Sequence, residues 1–237
     1  MEELTTDVPK PMLEIHGKPL LEYKLDALPD DIEEVIIVVG YLGARIRGHF
    51  GSMYNGKRIT YIEQKDRNGT AGALWEAKGV LSAGGATPTG RQGSVSGGKD
   101  RFLVMMGDDI YTRSDIEACI AEGNVWRLVV QQIPEMHRSG NVILDADAHI
   151  KAIVEGDLGP TPGLASTNMF LLDTRIFSCP LVPKLEGSLE YGLPQTVLAG
   201  AMMLGIPLEP VFTDQWIQIT SPKDLVKAAT MLDTMKK

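Results

Sequence analysis

The 237-residue sequence is poor in cysteine and contains no long apolar run. Its two cysteines, Cys119 and Cys179, are too few for a disulfide scaffold or a zinc knuckle, which favours a reducing compartment. No run of apolar residues approaches the ~20 that a membrane-spanning helix needs, and Met1-Glu2-Glu3 does not resemble the start of a signal peptide. These absences predict a cytoplasmic protein without a membrane partner.

The chain also lacks an excess of basic residues. Lysine and arginine number 23 against 31 aspartates and glutamates, which gives a formal net charge of −8. An acidic chain does not favour a nucleic-acid groove, so no nucleic-acid partner is expected. Hydrophobic residues make up 43% and charged residues 23%, the balance of an ordinary globular protein. We therefore expect a single domain over residues 1–237.

Several catalytic signatures are absent as well. The sequence has neither a Walker A loop nor a Gly-x-Gly-x-x-Gly motif. Its four histidines are scattered without metal-ligand spacing, so solvated or core positions are expected for them. The segment 93–97 has valine where a nucleophile elbow carries its serine. The chemistry must therefore lie in other residues.

Strand-like and helix-like segments alternate in the first half of the chain. Residues 34–40 and 102–106 are short apolar runs without alternation, typical of strands buried on both faces. Residues 19–28 place apolar groups on one helix face, and Ser114 is positioned to cap a helix that follows it. This alternation predicts an α/β fold, a Rossmann-like, mostly parallel sheet sandwiched by helices.

The second half has a different rhythm. Four strand-like segments follow residue 125 without long helices between them, which predicts a small β-rich annex. Helices are predicted again at about 195–204 and 222–235, the second opened by Ser221 and Pro222. Residues 82–100 contain almost no large apolar side chain and predict a flexible Gly/Ser-rich loop within the single domain.

Two aspartates directly follow the predicted strand 102–106. Ligands of open α/β sheets bind beyond the carboxyl ends of the strands, where Asp108 and Asp109 stand. Two carboxylates at such a place favour a hard cation such as Mg²⁺, shared with substrate phosphates. A strand-end turn whose aspartates cap the next helix explains the same residues equally well.

Two other segments could contact a phosphate or a nucleotide. Gly69-Thr70-Ala71-Gly72 precedes a predicted helix with free N–H groups at its start, and Gln64 ends the strand before it. Pro9-Lys10-Pro11 confines a lysine between two residues of fixed φ, so its ammonium could hold a phosphate. A simple turn and an exposed extended segment are the respective alternatives.

In order and spacing, these segments resemble the sugar-phosphate nucleotidylyltransferases, among them the catalytic domains of glucose-1-phosphate thymidylyltransferases and mannose-1-phosphate guanylyltransferases. The likeness extends from residue 4 to about residue 230. The matching segments are Leu4-Thr5-Thr6, Pro9 to Met12, Gly17 to Leu20, Val39-Gly40-Tyr41, Gln64 with Gly69 to Gly72, Gly107-Asp108, Ile153 to Glu155, Glu190 to Pro194, and Trp216 with Ser221 to Leu225.

The resemblance implies roles for residues on the nucleotide side. Lys10 would contact the triphosphate or the departing pyrophosphate, and Asp108 would bind Mg²⁺. Gln64 and Gly69 would read the base and hold the ribose, with Thr70 beside them in the substrate-binding loop.

The resemblance also exposes departures from the family pattern. By the same resemblance, Glu155 would form hydrogen bonds with sugar hydroxyls. Asn168 stands where the family has a glycine in the sugar pocket. Gln218 replaces the second metal-binding aspartate, and as an amide it coordinates without adding charge. Gly156 stands where a lysine is usual. Met1-Glu2-Glu3 stands where the family has a strand and a glycine-rich loop that contains an arginine.

The resemblance therefore implies nucleotidyl transfer from a nucleoside triphosphate to a sugar 1-phosphate, with Mg²⁺ as cofactor. The acidic composition and the β-rich annex permit a homo-oligomer. The alternative is a catalytically silent relative that binds a nucleotide or sugar phosphate as a regulatory or partner subunit. A glycosyltransferase using Asp108 and Asp109 around a metal shares the architecture, but it explains Lys10 and Gln64 poorly.

Overall fold

The predicted alternation of strands and helices is present in the first half of the chain. The computed structural model describes residue 5 and residues 7–83, 101–136, 140–156 and 159–235. Within them, in chain order, lie β1 (Glu14–Ile15), β2 (Lys18–Pro19), α1 (Leu20–Ala27), β3 (Glu34–Val39), α2 (Gly43–Phe50), β4 (Met53–Tyr54), β5 (Lys57–Glu63), α3 (Thr70–Glu76), α4 (Lys78–Ser82), β6 (Arg101–Val104), α5 (Arg113–Ile120), β7 (Trp126–Ile133), β8 (Asn141–Leu144), β9 (Ile150–Val154), β10 (Gly163–Asp173), α6 (Leu193–Leu204), β11 (Leu208–Thr213) and α7 (Pro222–Met235).

A six-stranded sheet forms the centre of the described part. Its strand order is β11-β7-β10-β8-β9, with β6 also paired to β10, and a separate sheet has the order β3-β5-β4. Helices pack on these strands, so the predicted α/β class is confirmed. The strand directions are more mixed than a mostly parallel sheet. The pairs β3–β5 and β7–β11 are parallel, whereas β10 runs antiparallel to β6, β7 and β8.

The strands of the central sheet are covered on both faces. Leu128 and Val130 of β7 join one apolar cluster with Leu172, whereas the intervening Val129 joins a second cluster with Leu171. Successive side chains of a strand point to opposite faces, so the sheet separates two cores. Full burial of each such side chain contributes about 1.5–3 kcal/mol, which makes β7 and β10 the rigid base for the loops at their ends.

The strands β3 and β6 are less buried than their sequences predict. Residues 34–38 are half-buried and Val39 is buried, while Phe102 is the buried residue of β6. Within the described ranges, β3 pairs only with β5 and β6 pairs only with β10. The prediction of burial on both faces is therefore wrong here, because each strand lies at the edge of its sheet among these residues.

The helix starts follow the capping chemistry of the sequence. Residue 222 begins α7 as predicted, and the Asp224 carboxylate accepts the backbone N–H of Ser221 at 2.7 Å. Helix α5 begins earlier than predicted, because its N-cap is Thr112 rather than Ser114. The Thr112 hydroxyl accepts the N–H of Asp115, whose carboxylate accepts the N–H of Thr112, so two N–H groups are satisfied reciprocally.

Three further predictions concern the organisation of the chain. Strands β8 and β9 form an antiparallel hairpin where the β-rich annex was expected. Ser82 ends α4, and the predicted flexible loop over 82–100 lies outside the described residues from position 84 onward. A single domain over residues 1–237 stays a prediction.

None of the described helices combines the length and apolar character that crossing a membrane would require.

Candidate active site

An ion pair joins the Pro-Lys-Pro segment to the loop after β6. The Lys10 ammonium contacts the Asp108 carboxylate, 98 positions away along the chain, and each side chain is 30% exposed. Gly107 allows this approach, because a Cβ there would lie 2.9 Å from Cγ of Pro11. The structure thus brings together two of the predicted site residues at the carboxyl end of β6.

A second pair of opposite charges lies behind the first. Asp109 and Lys24 are 4% and 3% exposed, and the Lys24 ammonium donates a hydrogen bond to the Met106 carbonyl. Burial, with the neighbouring Asp108 charge, raises the pKa of Asp109. Burial lowers the pKa of Lys24, and the two aspartates oppose that shift. Each buried group therefore depends on the other to remain charged.

Tyr111 connects these charges to strand β10. Its hydroxyl donates to the Thr167 carbonyl at 2.6 Å and lies 3.5 Å from a carboxylate oxygen of Asp109. Asn168, which follows Thr167 in the sequence, has a φ of 59° and lies where the register of β10 against β7 shifts. The left-handed conformation favours glycine and tolerates asparagine, which explains how Asn168 occupies a position where the family has glycine.

Gln218 lies opposite Asp109 across an antiparallel bridge. Ile110 and Ile217 exchange backbone hydrogen bonds of 3.0 and 3.1 Å in an antiparallel bridge, so the residues that flank them are neighbours. Gln218 is half-buried there, and Trp216 is 5% exposed. The buried indole of Trp216 lies close enough to Asp109 to oppose the rise in the pKa of that carboxyl.

Gln64 and Gly69 contact each other at the carboxyl end of β5. The side-chain amide of Gln64 donates to Asn68 Oδ1 at 3.2 Å and to the Gly69 carbonyl at 3.1 Å. Gly69 has a φ of 94°, and a Cβ there would lie 2.4 Å from the carbonyl oxygen of Tyr191. The backbones of the two segments also bond directly, through Tyr191 N–H to Asn68 and Ala71 N–H to Tyr191. Glycine is required here for close backbone packing.

Thr70 has a clear partner within the protein. Its hydroxyl accepts the backbone N–H of Leu193, the first residue of α6, at 2.9 Å. Thr70 therefore helps to fasten α6 to the loop, and its predicted contact with substrate stays a prediction.

Glu155 and Ser166 both lie against Gly140. A Cβ on Gly140 would lie 3.1 Å from Glu155 Oε1, and the Gly140 carbonyl accepts the N–H of Ser166 at 2.8 Å. The Gln195 amide donates to Glu155 across 3.5 Å, while Gln195 Oε1 is buried without a partner in the described part of the chain.

A series of contacts through intervening residues links the Gly69 loop, Glu155 and Asp109. It runs from the Gly69 loop through Tyr191 to the start of α6, and from Gln195 on α6 to Glu155. From there it crosses to the β10 bulge and returns through Tyr111 to the two aspartates. Among the predicted site residues, Lys10 contacts Asp108 directly and Gln64 contacts Gly69 directly, whereas the other links run through intervening residues.

Sequence reasoning did not identify Lys24 as part of this arrangement. The available signal was its position on the apolar face of 19–28, where Leu20, Leu21 and Leu25 are buried with it. A lysine three and four residues from buried leucines lies on their side of a helix.

The family assignment agrees with this geometry. The profile of the Nucleotidyl transferase family matches residues 1–233. The chain belongs to this family of enzymes.

Individual relatives are more distant. The chain is 27% identical over 241 residues to the UTP–glucose-1-phosphate uridylyltransferase AglF of Haloferax volcanii, covering 98% of this chain and 91% of the relative. It is 24% identical to the bifunctional protein GlmU of Methanocaldococcus jannaschii, covering 96% of this chain but 50% of that protein. The structure of the inositol-1-phosphate CTP transferase from T. maritima has a TM-score of 0.70 at 19% identity, covering 100% of this chain and 91% of that one, and supports the fold.

Proposed function

We propose that this chain transfers a nucleotidyl group from a nucleoside triphosphate to a sugar 1-phosphate and releases pyrophosphate. The Lys10–Asp108 pair at the end of β6 carries the proposal, because it places an ammonium and a carboxylate where phosphates and a cation would meet. Glu155, which the Gln195 amide contacts, and the Gly69 loop, against which Gln64 is held, would provide the places for the sugar and the nucleotide.

The reaction makes modest demands on the protein. A phosphate oxygen of the sugar 1-phosphate attacks the α-phosphorus, and the bond from that phosphorus to the bridging oxygen of pyrophosphate breaks. Such an in-line displacement needs alignment and charge neutralisation rather than a protein nucleophile. The Lys10 ammonium would exchange its contact with Asp108 for the triphosphate and then stabilise the departing pyrophosphate.

The other predicted residues would position the two substrates. Gln64 and Gly69 would hold the base and ribose. The hydrogen bond from the Gln64 amide to the Gly69 carbonyl fixes the orientation of that side chain beside the loop. Glu155 would accept hydrogen bonds from sugar hydroxyls. Asn168, held by its αL backbone at the β10 bulge, would add a side-chain amide to the sugar pocket where the family has none.

The donor set fits a divalent cation such as Mg²⁺ that is shared with substrate phosphates. Mg²⁺ is commonly held by one or two carboxylates together with phosphates and waters. Asp108 would supply the carboxylate, and Gln218 an amide oxygen from the neighbouring segment. Asp109 is buried opposite Lys24, so Asp108 is the accessible acid of the pair. When bound, the ion would neutralise negative charge on the phosphates.

A pyrophosphate-release assay tests the function. The chain is incubated with Mg²⁺ and a panel of nucleoside triphosphates, each combined with a panel of sugar 1-phosphates. We expect release with at least one pair and dependence on both substrates. Absence of release from every pair, together with intact nucleotide binding, would favour the catalytically silent alternative instead.

The charge at position 218 provides a prediction about the cation. Gln218→Asp adds a carboxylate on the segment that is bridged to the Asp108–Asp109 loop, so we expect divalent-cation affinity in the presence of triphosphate to rise about tenfold. A carboxylate 4 Å from a divalent cation interacts by about 2 kcal/mol even in bulk water, which corresponds to more than tenfold, so the estimate is conservative. Electron paramagnetic resonance of Mn²⁺ measures this. Gln215→Asp adds the same charge at an exposed position and should leave the affinity unchanged. Equal Mn²⁺ affinities for Gln218→Asp and Gln215→Asp would show that Gln218 does not lie at the cation site.

A further inference from the structure

We propose that Lys24 is a positioning residue that holds the backbone on both sides of Asp108, so that the Asp108 carboxylate is presented to a divalent cation. This inference rests on the proposed function, because it concerns the same cation site. It assigns a role to a buried lysine that belongs to neither the substrate-binding loop nor the sugar pocket.

The burial of Lys24 requires compensation. Its side chain is 3% exposed on the face of α1 that also buries Leu20, Leu21 and Leu25. Lysine is almost never fully buried unless its charge is paired, because removing an ammonium from water costs several kcal/mol. A methionine would fill the same space without that cost, so stability alone does not explain the charge.

The partners of Lys24 lie on both sides of Asp108. Its ammonium donates to the carbonyl of Met106, which precedes Asp108 by two residues. The same ammonium interacts electrostatically with the carboxylate of Asp109, the residue that follows Asp108. It also lies 5.6 Å from the ring centroid of Tyr111, whose hydroxyl reaches β10. One buried charge thus anchors the loop before and after the proposed ligand.

Lys24 is too buried to contact substrate, so it acts through this loop. Asp108 itself is 30% exposed, and Gly107 beside it contributes no side chain that could fix the backbone. Residues that orient a metal ligand typically change metal affinity by about 10–100-fold when they are removed. A loss of this size in cation affinity is therefore the expected signature of Lys24.

Lys57 provides a matched control. It is another buried lysine, 6% exposed, whose ammonium donates to the carbonyls of Pro29 and Ile32 at 2.7 and 2.8 Å. Its partners belong to the connection between α1 and β3 rather than to the loop after β6. Lys57→Met should lower the unfolding temperature and leave cation binding intact.

The experiment compares cation binding with stability. Mn²⁺ affinity is measured by electron paramagnetic resonance, with Mn²⁺ alone and with inorganic tripolyphosphate, and the unfolding temperature is measured in parallel. Lys24→Met should weaken Mn²⁺ binding in the presence of tripolyphosphate by about tenfold or more. Lys24→Arg keeps a charged donor and should recover part of that affinity.

A double variant separates positioning from folding. Lys24→Met with Asp109→Asn leaves no unpaired buried charge, so it should regain much of the stability lost by Lys24→Met alone. Its Mn²⁺ affinity should stay low, because the Met106 carbonyl still lacks its anchor. Wild-type Mn²⁺ affinity in the double variant, or an equal loss in Lys57→Met, would overturn the proposal. If the unsubstituted protein binds neither Mn²⁺ with tripolyphosphate nor a nucleotide, the proposed function fails with it.

Discussion

Asp108→Asn is expected to reduce the rate of pyrophosphate release by about 10²–10³-fold, the usual cost of removing one charge-stabilising group from such a site. The substitution keeps the shape of the side chain but removes the charge that Lys10 contacts and that a cation would use. Nucleotide binding should consequently lose most of its dependence on Mg²⁺. Calorimetric titration of nucleoside triphosphate, with and without Mg²⁺, measures that dependence directly.

Asp26 offers a control for this substitution. It forms an ion pair with Lys18, and the exposures of the two side chains, 33% and 29%, are close to those of the Asp108–Lys10 pair. Asp26 also accepts hydrogen bonds from Tyr54 and Asn55, near β4 and outside the proposed site. Asp26→Asn should therefore leave Mg²⁺-dependent binding unchanged. If Asp108→Asn also leaves it unchanged, Asp108 is not a cation ligand.

Gly69→Ala is expected to destabilise the protein by about 3 kcal/mol. Gly69 has φ 94° and ψ −177°, a backbone conformation essentially confined to glycine, and it costs another residue about 1–3 kcal/mol. The new Cβ would also meet the Tyr191 backbone at 2.4 and 2.7 Å and separate two backbone hydrogen bonds, each of which contributes about 1 kcal/mol. For a chain of this size the unfolding temperature should fall by about 2–4 °C per kcal/mol. Thermal unfolding followed by circular dichroism measures the shift.

Gly56→Ala isolates the contribution of the backbone angle. Gly56 has a φ of 78°, but nothing lies within 4 Å of the position its Cβ would occupy. This variant should lose only the conformational part, about 1–2 kcal/mol. Equal losses for the two variants would show that the contact between the Gly69 loop and Tyr191 contributes nothing to stability.

In the absence of substrate, the two lysines of the proposed site offset the charges of its two aspartates. Lys10 forms an ion pair with Asp108, and the buried Lys24 interacts electrostatically with the buried Asp109. A nucleoside triphosphate would bring negative charge to this place and draw Lys10 away from Asp108, which would free the carboxylate for a cation. On this interpretation the cation and the nucleotide bind cooperatively rather than independently.

Local patterns predicted the elements well. The apolar run at 34–40 contains β3, and the Ser-Pro start at 221–222 opens α7. The helix predicted after the Gly69-Thr70-Ala71-Gly72 segment is divided into α3 and α4 at Ala77. These elements could be predicted because they depend on residues close together in the sequence, and the periodicity and capping chemistry of such residues do not require a structure to be recognised. The burial of β3 was mispredicted because burial depends on partners that a local pattern does not contain.

By itself, the sequence determined the α/β class and the resemblance that nominated Lys10, Gln64, Asp108 and Glu155. Only the tertiary structure decided that Lys10 meets Asp108 across 98 positions, that Tyr191 requires a glycine at 69, and that Lys24 lies beneath the aspartates. The physical reason is that such contacts join segments far apart in the chain. Periodicity fixes which face of a helix is buried, but packing selects what that face meets.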